Sequence, residues 1–242
     1  MSRALLSNLW QTGFMNAGRT ARERARAELT DEIKAVARRQ LATVGAEGLS
    51  LRAVSRELGM VSSALYRYFA SRDELLTALI IDAYDALGEA AEGAAGGDDL
   101  VEEWMAIYAA VRDWARAHPH EYALIYGSPI SGYEAPQTTV QPAARVPLLL
   151  LGLLQRAHAT GRLITPPDAP EPSGLLDRQV EVLVELAPDL PRPVLLRTII
   201  VWTQLFGMLS FELFGQLVGS MDPADEFFAS ATRQMAAFVG VS

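Results

Sequence analysis

The residues with the clearest chemical potential are Arg52, Ser62, Ser63, Tyr66 and Arg67. They fall within Leu49–Phe69, which reads LSLRAVSRELGMVSSALYRYF. An arginine can fork onto the O6 and N7 of guanine. Short hydroxyls allow a helix to approach base edges, and a tyrosine can donate to a phosphate. The chemistry on offer is therefore recognition of duplex DNA. Competing chemistries are poorly supplied. The chain has three histidines, His118, His120 and His158, and no cysteine. Pro119 separates the first two, so they cannot form a helical i, i+4 ligand pair, and thiolate metal sites and disulfides are excluded. Paired carboxylates such as Asp98/Asp99, Glu102/Glu103 and Asp225/Glu226 open helices, where the positive end of the helix dipole accounts for them. Neither a phosphate-cradling glycine loop nor a nucleophile elbow is present. No enzymatic activity, metal or cofactor is expected.

The elements that must hold those five residues are legible around them. Ser50 is placed to cap a short helix whose inward stripe is Leu51, Val54 and Leu58. Gly59 ends it, and a second short helix is expected over about 62–69. Leu65 and Phe69 then point inward, and Ser62, Ser63, Tyr66 and Arg67 point outward, with Arg52 on the same side. This is a helix-turn-helix layout, in which one helix braces and the next enters the major groove. Any small helical hairpin is the alternative. Thr20-Ala-Arg-Glu23 reads as a capping box that opens the preceding helix, and Ser71-Arg-Asp-Glu74 as one that opens a long helix to about 95. Residues 1–22 are expected to be a flexible arm, 23–78 the helix-turn-helix head, and 79–242 the body. Further helices are expected at about 99–117, 119–127, 142–160, 175–187, 192–218 and 222–239, with prolines at their ends. No alternating strand pattern or internal repeat is found.

Charge supports this division. The 242 residues sum to −8, which argues against nucleic acid until the chain is split. Residues 1–77 carry +4 and residues 78–242 carry −12. Phosphates respond to the local field, screened over about 10 Å, so the basic head matters more than the total. Chance clustering of a solvated face is the alternative.

The stretch Thr30–Leu79 resembles the N-terminal domain of the tetracycline-repressor (TetR) family. The resemblance rests on Gly48, Ser50-Leu-Arg52, Leu58-Gly59, Leu65-Tyr66-Arg67-Tyr68-Phe69 and Ser71-Arg72-Asp73-Glu74-Leu75-Leu76. It implies an all-α protein, with a three-helix DNA-binding head and a larger helical-bundle body that binds a small molecule and dimerises. It also implies phosphate contacts from Tyr66, Tyr68 and Arg72, and base contacts from Arg52, Ser62, Ser63 and Arg67. Two positions depart from the pattern. Val61 stands where serine or threonine is common, which leaves Ser62 as the expected cap, and Tyr68 stands where histidine is common. More loosely, Trp202-Thr-Gln-Leu-Phe206-Gly207 resembles the Trp-x-x-x-His-Gly signature of a WHG-type regulatory domain, with phenylalanine replacing histidine. His118–Tyr122 and Gly127–Pro136 are similar to other segments of that subgroup.

Within the body, Trp104, Tyr108, Tyr126 and Phe206 are the expected wall of an apolar ligand pocket, with the Pro-rich Ser128–Gln141 at its mouth. The alternative is that these aromatics are core. Thr198–Leu217 is apolar on nearly every side. A membrane span would tolerate Gln204 and Glu212 poorly, so pairing of helices 192–218 and 222–239 with a second copy is the better reading. No signal peptide is recognised, and a cytoplasmic location is expected. The expected function is a homodimeric repressor that presents two recognition helices about 34 Å apart to a near-palindromic operator. A small apolar effector would release it by shifting the helix that starts at Ser71. An activator, or a ligand-independent architectural DNA binder of the same fold, is the alternative.

Overall fold

The computed structural model describes residues 3–165 and 173–241, with the backbone course alone for 3–19. Among the described residues the chain forms ten α-helices and one 3₁₀ turn. It divides into two compact units, Met1–Leu79 and Ile80–Ser242. Helix α4 (Arg72–Gly93) starts in the first and ends in the second.

The first unit comprises α1 (Arg3–Val44), α2 (Leu51–Glu57), α3 (Ser62–Leu65) and the opening turns of α4. Its core is one face of each: Ile33, Val36, Ala37 and Leu41 from α1, Leu51 and Val54 from α2, Leu65, and Leu75, Leu76 and Leu79 from α4. Phe69 closes it from the segment after α3. Ser50 caps α2, its hydroxyl facing the Ala53 N–H at 3.5 Å. Gly59 makes the turn at φ +67°, a left-handed conformation that costs a side-chain-bearing residue about 1 kcal/mol.

Three expectations are corrected here. Helix α1 begins at Arg3, so Thr20 lies inside it and does not open it. Helix α3 is a single turn that stops at Leu65. Beyond it Arg67 and Tyr68 donate back three residues, to Ala64 and Leu65, so the chain winds tighter than an α-helix there, before the Phe69 N–H reaches back four residues to Leu65. The residue that flanks α3 is Val61, which supplies no side-chain cap, and Ser62 is the helix's first residue. The box at α4 has a modified form. Ser71 Oγ accepts the Glu74 N–H at 3.1 Å, while the Glu74 carboxylate accepts the N–H of Ala70, one residue further out, at 2.6 Å.

The second unit is a helical bundle: α5 (Leu100–Ala117), α6 (Pro119–Tyr126), α7 (Val140–Ala159), α8 (Leu175–Leu186), α9 (Arg192–Leu213) and α10 (Asp225–Val239). Helix α9 touches α5, α6, α7, α8 and α10. By length and composition α9 could cross a membrane, yet it packs against five helices of this bundle. Its Glu212 takes a two-pronged bond from Arg112 of α5 at 2.7 and 2.8 Å, and Arg112 also reaches Asp225 of α10 at 2.9 Å. This charge cluster ties three helices together at one end. Helix α9 stops at Leu213 instead of running to 218, because Gly215 and Gly219 turn at φ +82° and +79°. Helix α10 opens at Asp225, with Asp225 and Glu226 in its first turn. Helix α7 starts at Val140, two residues earlier than expected. Pro142 sits in the first turn, where no N–H is needed, whereas Pro147 is accommodated inside the helix.

Candidate nucleic-acid interface and candidate ligand site

The outer surface of the first unit presents Arg52, Ser63, Tyr66 and Arg67 to solvent. Tyr66 is 45% exposed, a large value for an aromatic ring beside a well-packed core. The inward neighbours Leu51, Val54, Leu65 and Phe69 fix this arrangement, as the helical spacing requires. Arg52, Tyr66 and Arg72 come together at an open cleft of about 460 Å³, which is also lined by Ser50, Ala70 and Ser71.

The remaining residues of the expected interface have other partners. Ser55 Oγ donates to the Arg52 carbonyl at 3.0 Å, which uses its single proton. The 3.1 Å contact between Ser55 Oγ and Ser62 Oγ must therefore have Ser62 as donor. Ser62 is half-buried and ties α3 to α2. Tyr68 is half-buried too, with the Arg26 guanidinium 5.0 Å above its ring. Arg26 also donates to the Arg67 carbonyl at 3.1 Å. Arg72 donates from Nε to the Leu49 carbonyl at 3.2 Å and from a terminal nitrogen to the Ala46 carbonyl at 2.8 Å. Its other terminal nitrogen lies 3.7 Å from the Asp73 carboxylate. Arg72 thus caps the loop between α1 and α2, and Gln40 assists by accepting the Ser50 N–H. Arg26 was missed by sequence reasoning because its contacts span 41 residues and leave no local signal.

In the second unit, the four aromatics expected to line a pocket form two separate pairs. Trp104 and Tyr108 are fully buried and stacked, with ring centroids 4.7 Å apart. Trp104 Nε1 donates to the Thr232 carbonyl at 3.1 Å, and the Tyr108 hydroxyl lies 3.5 Å from the Val201 carbonyl. With their polar ends satisfied inside the bundle, these two rings serve as core between α5, α9 and α10. Tyr126 and Phe206 stack at 3.9 Å. Tyr84 and Tyr122 flank Tyr126 at 6.0 and 5.4 Å, and Trp202 meets Phe206 edge-on at 6.0 Å. The Tyr122 hydroxyl donates to the Phe206 carbonyl at 2.9 Å and meets Ser210 Oγ at the same distance. Burial pushes the Tyr84, Tyr108, Tyr122 and Tyr126 phenols above their ordinary range. Trp202 Nε1 is buried without an acceptor. Tyr84 was not singled out from sequence, since only the fold brings α4 to Tyr126, and Trp202 was read there only as part of the Trp202–Gly207 signature.

An open groove of about 450 Å³ runs along α9 and α10, lined by Thr203, Gln204, Gly207, Met208, Phe211, Leu217 and Phe227. None of the four expected pocket residues lines it. Ile199, Ile200 and Phe214 are exposed on the same helix or just beyond its end.

All three histidines are exposed. His118 stacks on Trp114, and its Nδ1 lies 3.0 Å from the Trp114 carbonyl at the end of α5. Among the described residues no group of three or more His, Asp or Glu side chains could hold a metal ion.

Comparison with known proteins agrees with this geometry. Residues 33–79 match the family described as bacterial regulatory proteins, tetR family. Residues 104–235 match the tetracyclin repressor-like C-terminal domain. The chain is 39% identical over 235 residues to the HTH-type transcriptional regulator Rv1816 of Mycobacterium tuberculosis, covering 94% of this chain and 97% of that protein. The regulator Mb1846 of Mycobacterium bovis gives the same figures. Among solved structures, the putative regulatory protein SCO4313 has a TM-score of 0.72 and 34% identity, covering 89% of this chain and 98% of its own. The regulator PfmR of Thermus thermophilus, with a TM-score of 0.55 and 18% identity over 86% of this chain and 96% of its own, shares the fold.

Proposed function

The chain belongs to the tetR family of bacterial transcriptional regulators, and from that premise we propose that it is a ligand-responsive repressor. It binds a near-palindromic operator as a homodimer and is released by a small apolar effector. The observation that carries this reading is the outward display of Arg52, Ser63, Tyr66 and Arg67 on a unit of charge +4, in a chain that is otherwise strongly acidic. In the assignment proposed here, Arg67, Arg52 and Ser63 read base edges, and Tyr66 donates to a phosphate seated at the cleft it shares with Arg52. Arg72, Ser62 and Tyr68 position the recognition turn, Arg72 through the carbonyls of Ala46 and Leu49.

The second copy packs its α9 and α10 against the groove at Gly207, Phe211 and Phe227, where a helix face too apolar for solvent is left open. The effector occupies the aromatic group of Tyr84, Tyr122, Tyr126 and Phe206, and its binding is relayed along α4. To act, it must favour one conformer; a tenfold preference supplies about 1.4 kcal/mol. The protein works in the cytoplasm.

Gel-shift titration with a duplex selected from random sequence tests the reading. Binding should exceed that of a scrambled duplex by at least a thousandfold, and should weaken linearly in log–log form as salt rises. Equal binding of both duplexes, or affinity indifferent to salt, would refute it.

A further inference from the structure

We infer that Val61 is a sequence-reading side chain, whose methyl groups pack against the C5-methyl of a thymine in the major groove. The inference rests on the reading of the first unit as a DNA reader and adds a base preference to it.

A recognition helix contacts base edges mainly through its N-terminal residues. Here those are Val61, Ser62 and Ser63. The Ser62 hydroxyl is donated to Ser55 inside the unit, which leaves Val61 and Ser63 facing outward. Val61 is 71% exposed, the highest value for a large apolar side chain among the described residues of this unit; Val44 follows at 55%. It sits in extended backbone at φ −70°, ψ 137°, and makes no side-chain bond to the helix it precedes.

Its residue type is locally unfavourable. A serine, threonine or aspartate at this position would accept an orphan N–H of α3, and valine makes no such bond. The valine therefore gives up a cap and exposes an isopropyl group to water. Local rules broken in this way concentrate where a partner compensates. An isopropyl group can neither donate nor accept a hydrogen bond. Among the four base pairs, the major groove offers it one apolar feature, the thymine methyl. The flanking cations Arg52 and Arg67 draw the duplex to this surface.

The test replaces thymine by deoxyuracil, which removes that methyl and nothing else. A near-palindromic operator is selected from random duplex with the full-length protein, and its thymines are replaced singly. At one position in each half-site, deoxyuracil should weaken wild-type binding about fourfold, the value of one buried methyl. Val61→Ala should bind the thymine operator about as weakly and lose the discrimination, while its binding to random duplex stays unchanged. Val61→Thr, which keeps one methyl, should retain part of the discrimination. If deoxyuracil costs wild type and Val61→Ala the same at every position, the inference is overturned and the DNA-reading function stands. If wild type selects no operator at all, the reading of the unit falls and the inference falls with it.

Discussion

Ser62 and Ser63 are adjacent and chemically identical, yet only Ser63 is fully presented to solvent. The difference comes from Ser55, which takes the Ser62 proton because its own is committed to the Arg52 carbonyl. The same distinction separates the arginines. Arg72 spends its donors on the loop carbonyls of Ala46 and Leu49, while Arg52 and Arg67 lie exposed. A sequence shows residue types and helical facing, so Tyr66 and Arg67 were legible as outward groups. It does not show which polar groups pair across 23 or 26 residues, so the bracing role of Arg72 was not. Two substitutions separate these roles. Arg67→Ala should cost about 1–3 kcal/mol on the selected operator and relax sequence choice, with little change on random duplex. Tyr66→Phe should weaken both duplexes alike, by about 1–2 kcal/mol, because it removes a donor to phosphate. Equal losses on both duplexes for Arg67→Ala would reassign it to the backbone. Quantitative gel shifts at fixed salt measure both.

At the scale of elements, most helices were legible because capping residues and prolines mark them: Ser50, Ser71, Asp99, Pro119 and Pro191 all stand at or beside a helix start. The start of α1 was misread because Thr20 and Glu23 carry a capping pattern in the interior of a helix that begins at Arg3. The clamp that holds α4 to α7 had no sequence signal. Arg145 donates to both carboxylate oxygens of Glu92 at 2.8 and 2.7 Å and to Asp85 at 2.9 Å. It lies flat across Gly88, where an added Cβ would fall 2.6 Å from its Nε. Alanine is favoured over glycine in a helix by about 1 kcal/mol. The added Cβ would also fall 2.8 Å from the Arg145 Cδ and 2.9 Å from its Cβ, and only the last contact survives in an Arg145→Ala protein. Gly88→Ala should therefore destabilise the wild type and be better tolerated in the Arg145→Ala background, as urea unfolding would show. Equal effects in both backgrounds would mean that the Arg145 side chain does not need the glycine. The clamp also has a pH signature. The Arg145 hydrogen bond holds the Glu92 carboxyl below its ordinary range. Its contribution is then complete above that range and fades as pH falls through it. The stability deficit of Arg145→Ala should accordingly shrink toward acid pH; a deficit constant down to pH about 2 would contradict the assignment.

For the whole molecule, the division into a basic head and an acidic helical body was readable from charge and helical period, since both follow from the residues directly. Which body aromatics are core was not, because Trp104, Tyr108, Tyr126 and Phe206 look alike until the bundle buries the first two completely and satisfies their polar atoms. The open groove at Gly207 and Phe211 carries the assembly prediction. Phe211→Arg should convert a dimer to a monomer in sedimentation velocity and reduce operator affinity at least a hundredfold, with helix content retained; a variant that remains a dimer would move the interface elsewhere. The central claim is that two copies read DNA together through the surface that bears Tyr66 and Arg67. Methylation-interference footprinting on the selected operator tests it most directly. The account predicts two patches of interfering guanines, centred about one helical turn apart and related by two-fold symmetry, each fading in Arg67→Ala. A single patch, or a footprint unchanged by that substitution, would contradict it.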